Sequence, residues 1–328
     1  MPELLDLGAA WTPEPESGIR SVLPAPGTVV TVGTFDGVHR GHWAVLQELA
    51  DEGRRRGLPT VLVTFDPHPL RIVRPASAPL LLSTPAEKVD ALQHAPVDYV
   101  ALLRFTPVLA GYSPRRFVEE ILLARLRMRH FVIGYDHGFG RGRTGDVETL
   151  RAIGAELGFG VDVVEPVHEQ GEALSSSVIR RLLAGGDVAA AARALGRPYA
   201  MSGTVVRGEG VGRRLGFPTA NLQLDHDDKL LPLEGIYAVR AELHGRRLDG
   251  VLHLGPRPTF PGLAPSIELH LFDFAGDLYG ERVRVEFAAR IRDVNRFEST
   301  EALIAAMAED CVAARALLEE RTNLNGRS

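Results

Sequence analysis

Cysteine is nearly absent from this chain. Cys311 has no partner for an internal disulfide, and it reads as a small apolar residue on a helix in a reducing compartment. An excess of positive charge is missing too. With 37 Lys and Arg against 42 Asp and Glu, the net charge of -5 gives no electrostatic footprint for nucleic acid. No apolar run approaches membrane-spanning length, and Met1 to Ser17 carries acids and prolines where a secretory leader has a basic segment and an apolar core. These absences predict a cytoplasmic protein without nucleic-acid or membrane partners and leave its oligomeric state open.

What is present is length enough for two cores, since 328 residues exceed an ordinary single domain. From Thr28 to about Pro166, short β-rich runs alternate with helical patterns. The strand candidates are Thr60–Phe65, Val97–Leu103, Phe131–Tyr135 and Val161–Glu165; the helical ones are Pro85–Ala95, Pro114–Arg127 and Asp146–Leu157. Such alternation predicts an α/β domain with a parallel sheet. From Met201 onward strands dominate, at Ser202–Val206, Gly235–Leu243, Arg247–Leu254, Ile267–Phe274 and Arg282–Phe287, without intervening helices. They predict an antiparallel β-barrel, followed by a terminal helix capped by Ser299 or Thr300. The expected division is 1–186 for the first domain, 187–199 for a linker and 200–328 for the second.

The densest chemical signal is Gly33-Thr-Phe35-Asp36-Gly37-Val-His39-Arg-Gly41-His42, directly after the apolar run Thr28–Val32. Its glycines let the backbone turn sharply and approach a phosphate chain closely. His39 and His42, three apart at the start of a helix running to about Arg56, can face one side beside the positive end of the helix dipole. Further on, Leu174-Ser-Ser176-Ser177-Val-Ile-Arg180 enters another helix with hydroxyls, amides and a guanidinium that can bind phosphate oxygens, although a serine cap with a surface Arg is the simpler account of it alone. Ile133-Gly-Tyr-Asp136-His-Gly-Phe139-Gly140 is a glycine-rich turn that can accept a flat ring or a nucleotide.

The second domain opens with a loop holding Gly208, Gly210, Gly212 and Gly216, and ends it with Phe217-Pro-Thr219-Ala-Asn221. Successive amides in such a loop can cradle an anion, but no Gly-Lys-Ser/Thr closes it, so it is not a Walker loop. If Pro218–Asn221 is extended, Thr219 and Asn221 share a face and can ligate Mg²⁺ jointly. In Ser266-Ile-Glu268-Leu-His-Leu, Glu268 alternates away from the apolar positions and can take a proton from an attacking alcohol. An exposed strand carboxylate fits that residue equally well when taken alone.

The first segment resembles the signature of the HxGH nucleotidylyltransferases, and its wording is most similar to the FAD synthetase branch. Gly-Phe-Pro-Thr-Ala-Asn, Gly255-Pro-Arg-Pro-Thr-Phe260, Ile-Glu-Leu-His and Asp277-Leu-Tyr-Gly280 resemble the riboflavin kinase series, in the same order. Together they cover roughly Thr28 to Asp310 and resemble the bifunctional bacterial riboflavin kinase/FAD synthetase family. That resemblance implies a Rossmann-like first domain that joins FMN to the adenylyl group of ATP, and a barrel that phosphorylates riboflavin. It implies catalytic roles for His39, His42, Arg180 and Glu268. Nucleotide contacts fall on Gly33, Phe35, Asp36, Gly37, Gly41, Ser176, Ser177, Gly208, Gly210, Gly212 and Gly216. Flavin contacts fall on Asp136, Phe139 and Arg292, and Thr219 and Asn221 hold Mg²⁺. The expected ligands are riboflavin, FMN, FAD and ATP. The chain departs from the family pattern at His137, Gly138, Ser177 and His253, so one inactive site, or a flavin sensor without turnover, stands as the alternative.

Overall fold

The computed structural model describes residues 1–6, 23, 26–135, 138, 140–259 and 262–325, without the side chains of 6, 143 and 321–325. They pack as two units, Met1–Ser176 and Ser177–Ser328.

The first unit is built on six parallel strands: β1 (Glu3–Asp6), β2 (Thr28–Val32), β3 (Thr60–Asp66), β4 (Tyr99–Arg104), β5 (Met128–Gly134) and β6 (Gly160–Val164). They lie in the order β1-β4-β3-β2-β5-β6. Strands covered on both faces read as continuous apolar runs, and every residue of β2 is buried. Alternate side chains feed two cores. Val29, Leu62, Val100 and Val132 face one, with Leu46 and Leu49 of α1 (Arg40–Arg56); Val30, Val61, Val63, Phe131 and Ile133 face the other. The remaining helices are α2 (Pro69–Val73), α3 (Pro85–Leu92), α4 (Pro107–Ala110), α5 (Pro114–Phe117) and α6 (Val147–Leu157), and a short hairpin pairs β7 (His168–Glu169) with β8 (Glu172–Ala173).

Two details differ from the expected pattern. Strand β1 adds an edge that its four residues were too short to announce. The helix expected over Pro114–Arg127 stops being α-helical after Phe117 and continues as a π-helical stretch, Val118–Leu123, whose wider turn keeps Val118, Ile121 and Leu122 buried.

In the second unit, α7 (Ser176–Ala184, begun by the last residue of the first unit) and α8 (Val188–Leu195) precede the strands, so most of the segment expected to be a linker is a helix capped by Asp187 and Gly196. The barrel closes as β10-β13-β12-β11-β14-β9, antiparallel throughout. Its strands are β9 (Tyr199–Val206), β10 (Ala220–Leu224), β11 (Gly235–Leu243), β12 (Arg246–Gly255), β13 (Ser266–Leu271) and β14 (Arg282–Arg292), with α9 (Val211–Arg214) between the first two. Tyr199, Tyr237 and Phe287 meet ring to ring among fully buried strand residues. Two bulges in β14 opposite β11 leave Ala288 and Ile291 unpaired, and both pack toward α10 (Thr300–Asn325) with Ala314 and Leu318. The terminal helix thus seals an apolar wall of the barrel, and Ser299 caps it by accepting the Ala302 amide at 3.1 Å.

Candidate active sites

In the parallel sheet, β2 pairs with β3 on one side and β5 on the other, so the order of strands reverses at β2. Ligands of open α/β sheets sit at the carboxyl ends of strands beside such a reversal. Gly33–His42 leaves the carboxyl end of β2 there. The Gly33 amide still donates to the Val63 carbonyl at 3.0 Å. Phe35 and Val38 then adopt positive φ and turn into the core. Asp36 is buried, and its carboxylate accepts the amides of Leu82 at 3.2 Å and Ser83 at 3.0 Å. It anchors the loop to the segment before α3. Ser176 donates its hydroxyl to the Asp36 carbonyl at 2.9 Å, which ties a second segment to the same turn.

The histidines cap the helix they begin. His39 Nδ1 accepts the His42 amide, and His42 Nδ1 accepts the His39 amide, each at 3.3 Å. This is a capping box made of two imidazoles, with the rings stacked at 3.6 Å. Because Nδ1 accepts in both rings, the neutral tautomer assigned to each carries its proton on Nε2. Gly41 makes the stack feasible: a β-carbon there would stand 3.1 Å from His39 Nδ1. With no acid in the first turn of α1, the dipole's positive end remains unopposed by its own helix.

Of the remaining residues expected here, Ser177 is exposed and Arg180 half-buried on α7, beyond the division at Ser176 and in the second unit. Asp136, Phe139 and His137 lie outside the described residues.

The second unit's groups assemble on the wall that faces α10. Asn221 and His253 are the register partners of Glu268 on its two sides, so the three form a row across β10, β13 and β12. Glu268 Oε2 accepts the Thr219 hydroxyl at 3.0 Å; Oε1 accepts Ser266 Oγ at 2.9 Å and Arg257 at 3.2 Å. The carboxylate is therefore fixed in orientation and set beside a cation. Asn221 lies directly under Gly208, where a β-carbon would collide with its amide.

The expected glycine cradle is tighter than an open loop. Gly210 caps α9, and the amides of Arg214 to Phe217 bond back to residues 210–213 within the loop, Gly216 to Arg213 and Phe217 to Gly212. These amides already have acceptors. Thr219 and Glu268 border a cleft whose far wall is Leu303, Met307 and Cys311 of α10. Polar groups facing an apolar back wall suit a ring system with a polar tail. Burial pushes the Cys311 thiol up, which keeps it a spectator in that wall.

Arg292 is held at the cleft by Asp310, with two contacts of 2.7 Å, and its guanidinium also covers the Phe297 ring at 5.4 Å. It orders the 293–297 loop against α10. Sequence reasoning gave Arg257 and Asp310 no role. Asp310 carried a signal all the same, as an acid beside the apolar stripe Met307, Cys311 and Ala314. His253 donates from Nε2 to the Pro256 carbonyl at 3.0 Å, and its burial lowers its pKa despite nearby Glu268.

Comparison with known proteins joins these two sites to two families. Residues 23–178 match the FAD synthetase family and residues 195–318 the riboflavin kinase family. The bifunctional riboflavin kinase/FMN adenylyltransferase of Escherichia coli K12 is 40% identical over 91% of this chain and 96% of its own. Its Bacillus subtilis counterpart is 34% identical over 86% and 90%. A crystal structure from Streptococcus pneumoniae, described as a macrolide-efflux protein, is similar with a TM-score of 0.77 and 31% identity, covering 88% of this chain and 94% of that one. Among the described residues here, no helix is long and apolar enough to cross a membrane. Identity at this level along nearly the full length of both chains places this chain in the bifunctional riboflavin kinase/FMN adenylyltransferase family.

Proposed function

We propose that the chain makes FAD in two steps, phosphorylating riboflavin in residues 200–328 and adenylylating the resulting FMN in residues 1–186, with 187–199 joining the two. The observation that carries this is Thr219 bonded to Glu268 in a cleft walled by α10, with Asn221 as the strand neighbour of Glu268, in a chain whose β2 leads into paired imidazoles.

In the kinase step the 5′-hydroxyl of riboflavin attacks the γ-phosphorus of ATP, Glu268 takes its proton, and ADP leaves. Arg257 and Ser266 hold the carboxylate toward the cleft, so the proton is accepted at a fixed place. Thr219 Oγ1 and Asn221 Oδ1 supply neutral oxygen ligands next to that carboxylate, a donor set suited to a hard cation. Mg²⁺ bound there with ATP neutralises phosphate charge.

In the adenylyl step an FMN phosphate oxygen attacks the α-phosphorus of ATP in line, and pyrophosphate leaves. The attacking oxygen is already ionised, so positioning and charge stabilisation carry most of the work. His39 and His42 donate from Nε2 to phosphate oxygens. Ser177 and Arg180 serve the triphosphate, Gly33 and Gly37 let it approach, and Asp136 and Phe139 belong to the flavin side. Phe35, Asp36 and Ser176 shape the loop. The low net charge supports small-molecule ligands and a cytoplasmic setting without nucleic acid.

Incubation with riboflavin, ATP and Mg²⁺, followed by chromatography, tests both steps. FMN followed by FAD is expected. FMN alone would refute adenylylation, and no FMN would refute the kinase assignment.

A further inference from the structure

One buried charge has no part in either step described above. Lys88 lies on α3 and is buried, yet its ammonium meets three acceptors: the Phe65 carbonyl at 2.8 Å, the Thr34 carbonyl at 3.3 Å and Thr64 Oγ1 at 3.4 Å. Its three protons and three acceptors match. Thr34 belongs to the loop after β2 that carries His39 and His42. Phe65 lies near the carboxyl end of β3, two residues before Pro67. Thr64 also donates its hydroxyl to the Thr34 carbonyl at 3.0 Å, so one small network joins the loop after β2 to the end of β3.

The same helix is anchored a second time at its entry, where Asp36 takes the amides of Leu82 and Ser83 and Thr84 closes a capping box with Glu87. Burying an ammonium is unfavourable by itself, and an apolar residue of the same length would fill this core at less cost. Burial lowers the Lys88 pKa, and the carboxylates of Asp36 and Asp66 oppose the shift. A buried ion with every proton bonded fixes geometry more narrowly than apolar packing does.

We propose that Lys88 is a positioning residue of the adenylyl-transfer site, its ammonium locking the loop after β2 to the carboxyl end of β3 so that ATP and FMN are held in line. This rests on assigning Gly33–His42 to nucleotide binding. Misplacement by about 1 Å can lower a rate about a hundredfold. FAD formation from supplied FMN should therefore show, in Lys88→Met, a kcat lower by about a hundredfold and KM values for both ATP and FMN raised about tenfold. FMN formation by the same sample serves as the concentration reference.

Loss of folded fraction alone would lower kcat and leave both KM values in place, and that result overturns the proposal. So does Lys88→Met with wild-type kinetics. Should Lys88→Met fail to fold, Thr64→Val and Thr64→Ser decide. The first removes the shared hydroxyl and should raise both KM values, whereas the second keeps it and should restore them; equal behaviour of the pair overturns the proposal. His42→Ala measured alongside separates the two levels, because full FAD formation in that variant defeats the site assignment itself, while its loss beside a wild-type Lys88→Met defeats only the role of Lys88.

Discussion

The first unit's paired imidazoles lie within one turn of chain, just past the carboxyl end of an interior strand of a parallel sheet. The second gathers them from β10, β12, β13, β14 and α10, on a barrel wall that would be featureless without the terminal helix. Continuity explains why the first site is rigid through mutual capping: His39 and His42 satisfy each other's amides, and Asp36 and Ser176 secure the turn. Dispersion explains why the second depends on ion pairs, Arg257 with Glu268 and Arg292 with Asp310, to keep remote residues in one place. A site built by topology needs few side chains to hold it. A site built by convergence needs each of its ties.

The largest expected effect separates the units by chemistry. Glu268→Gln keeps the hydrogen-bond geometry but cannot take the hydroxyl proton, and FMN formation should fall by about a thousandfold. FAD formation from supplied FMN should stay at the wild-type rate. Vigorous kinase activity in this variant, measured by chromatography of the products, removes Glu268 as the base. The converse test is His42→Ala, which deletes one Nε2 donor and half of the capping box. FAD formation should fall by about a hundredfold to a thousandfold, with riboflavin phosphorylation intact. Parallel loss of both activities would mean that the two sites are not separable.

A smaller effect probes convergence. Asp310→Asn leaves Arg292 without its bidentate partner at the cleft and frees the 293–297 loop from α10. Unpairing a largely buried guanidinium should destabilise the barrel by about 2 kcal/mol and raise KM for riboflavin more than KM for ATP, since the apolar wall of α10 is what shifts. Equal rises in the two KM values would argue against that picture. In the first unit the counterpart is the exposed pair Arg40–Glu169 at 2.6 Å, whose loss should cost less.

The same contrast governs what the sequence could tell. The sheet strands were legible as apolar runs between helical patterns, and the barrel as short strands between turns, because both periodicities are local. The helix over Pro114–Arg127 had the right apolar stripe, yet its π-helical stretch depends on the sheet beneath it, which no local pattern encodes. His39 and His42 are conspicuous by spacing, but their reciprocal capping depends on how the chain turns after β2, which spacing does not encode. Thr219 and Glu268, forty-nine positions apart, meet only because β10 and β13 are neighbours in the closed barrel. The resemblance implies a nucleotide contact for Asp36, and nothing local in the sequence signals that its carboxylate accepts the amides of Leu82 and Ser83, forty-six and forty-seven positions away.

The smallest effect concerns His253, one of the positions at which the chain departs from the family pattern it resembles. Burial lowers its pKa below the ordinary imidazole value, and the Glu268 carboxylate only partly offsets that. The folded barrel therefore binds this proton less readily than the unfolded chain does. Between the ordinary imidazole pKa near 6.5 and the lowered folded value, acidification favours the unfolded state, and above that window the imidazole is neutral in both states and contributes no pH dependence. His253→Asn removes the titration while keeping a polar group within reach of the Pro256 carbonyl. On going from pH 7 to pH 5, the wild-type melting temperature should drop by about 2–4 °C more than that of the variant, with FMN formation at pH 7.5 changed by less than about threefold. An identical acid loss in both proteins would mean that the imidazole is solvated in the cleft, and the row of Asn221, Glu268 and His253 would then be a wet wall instead of a dry one.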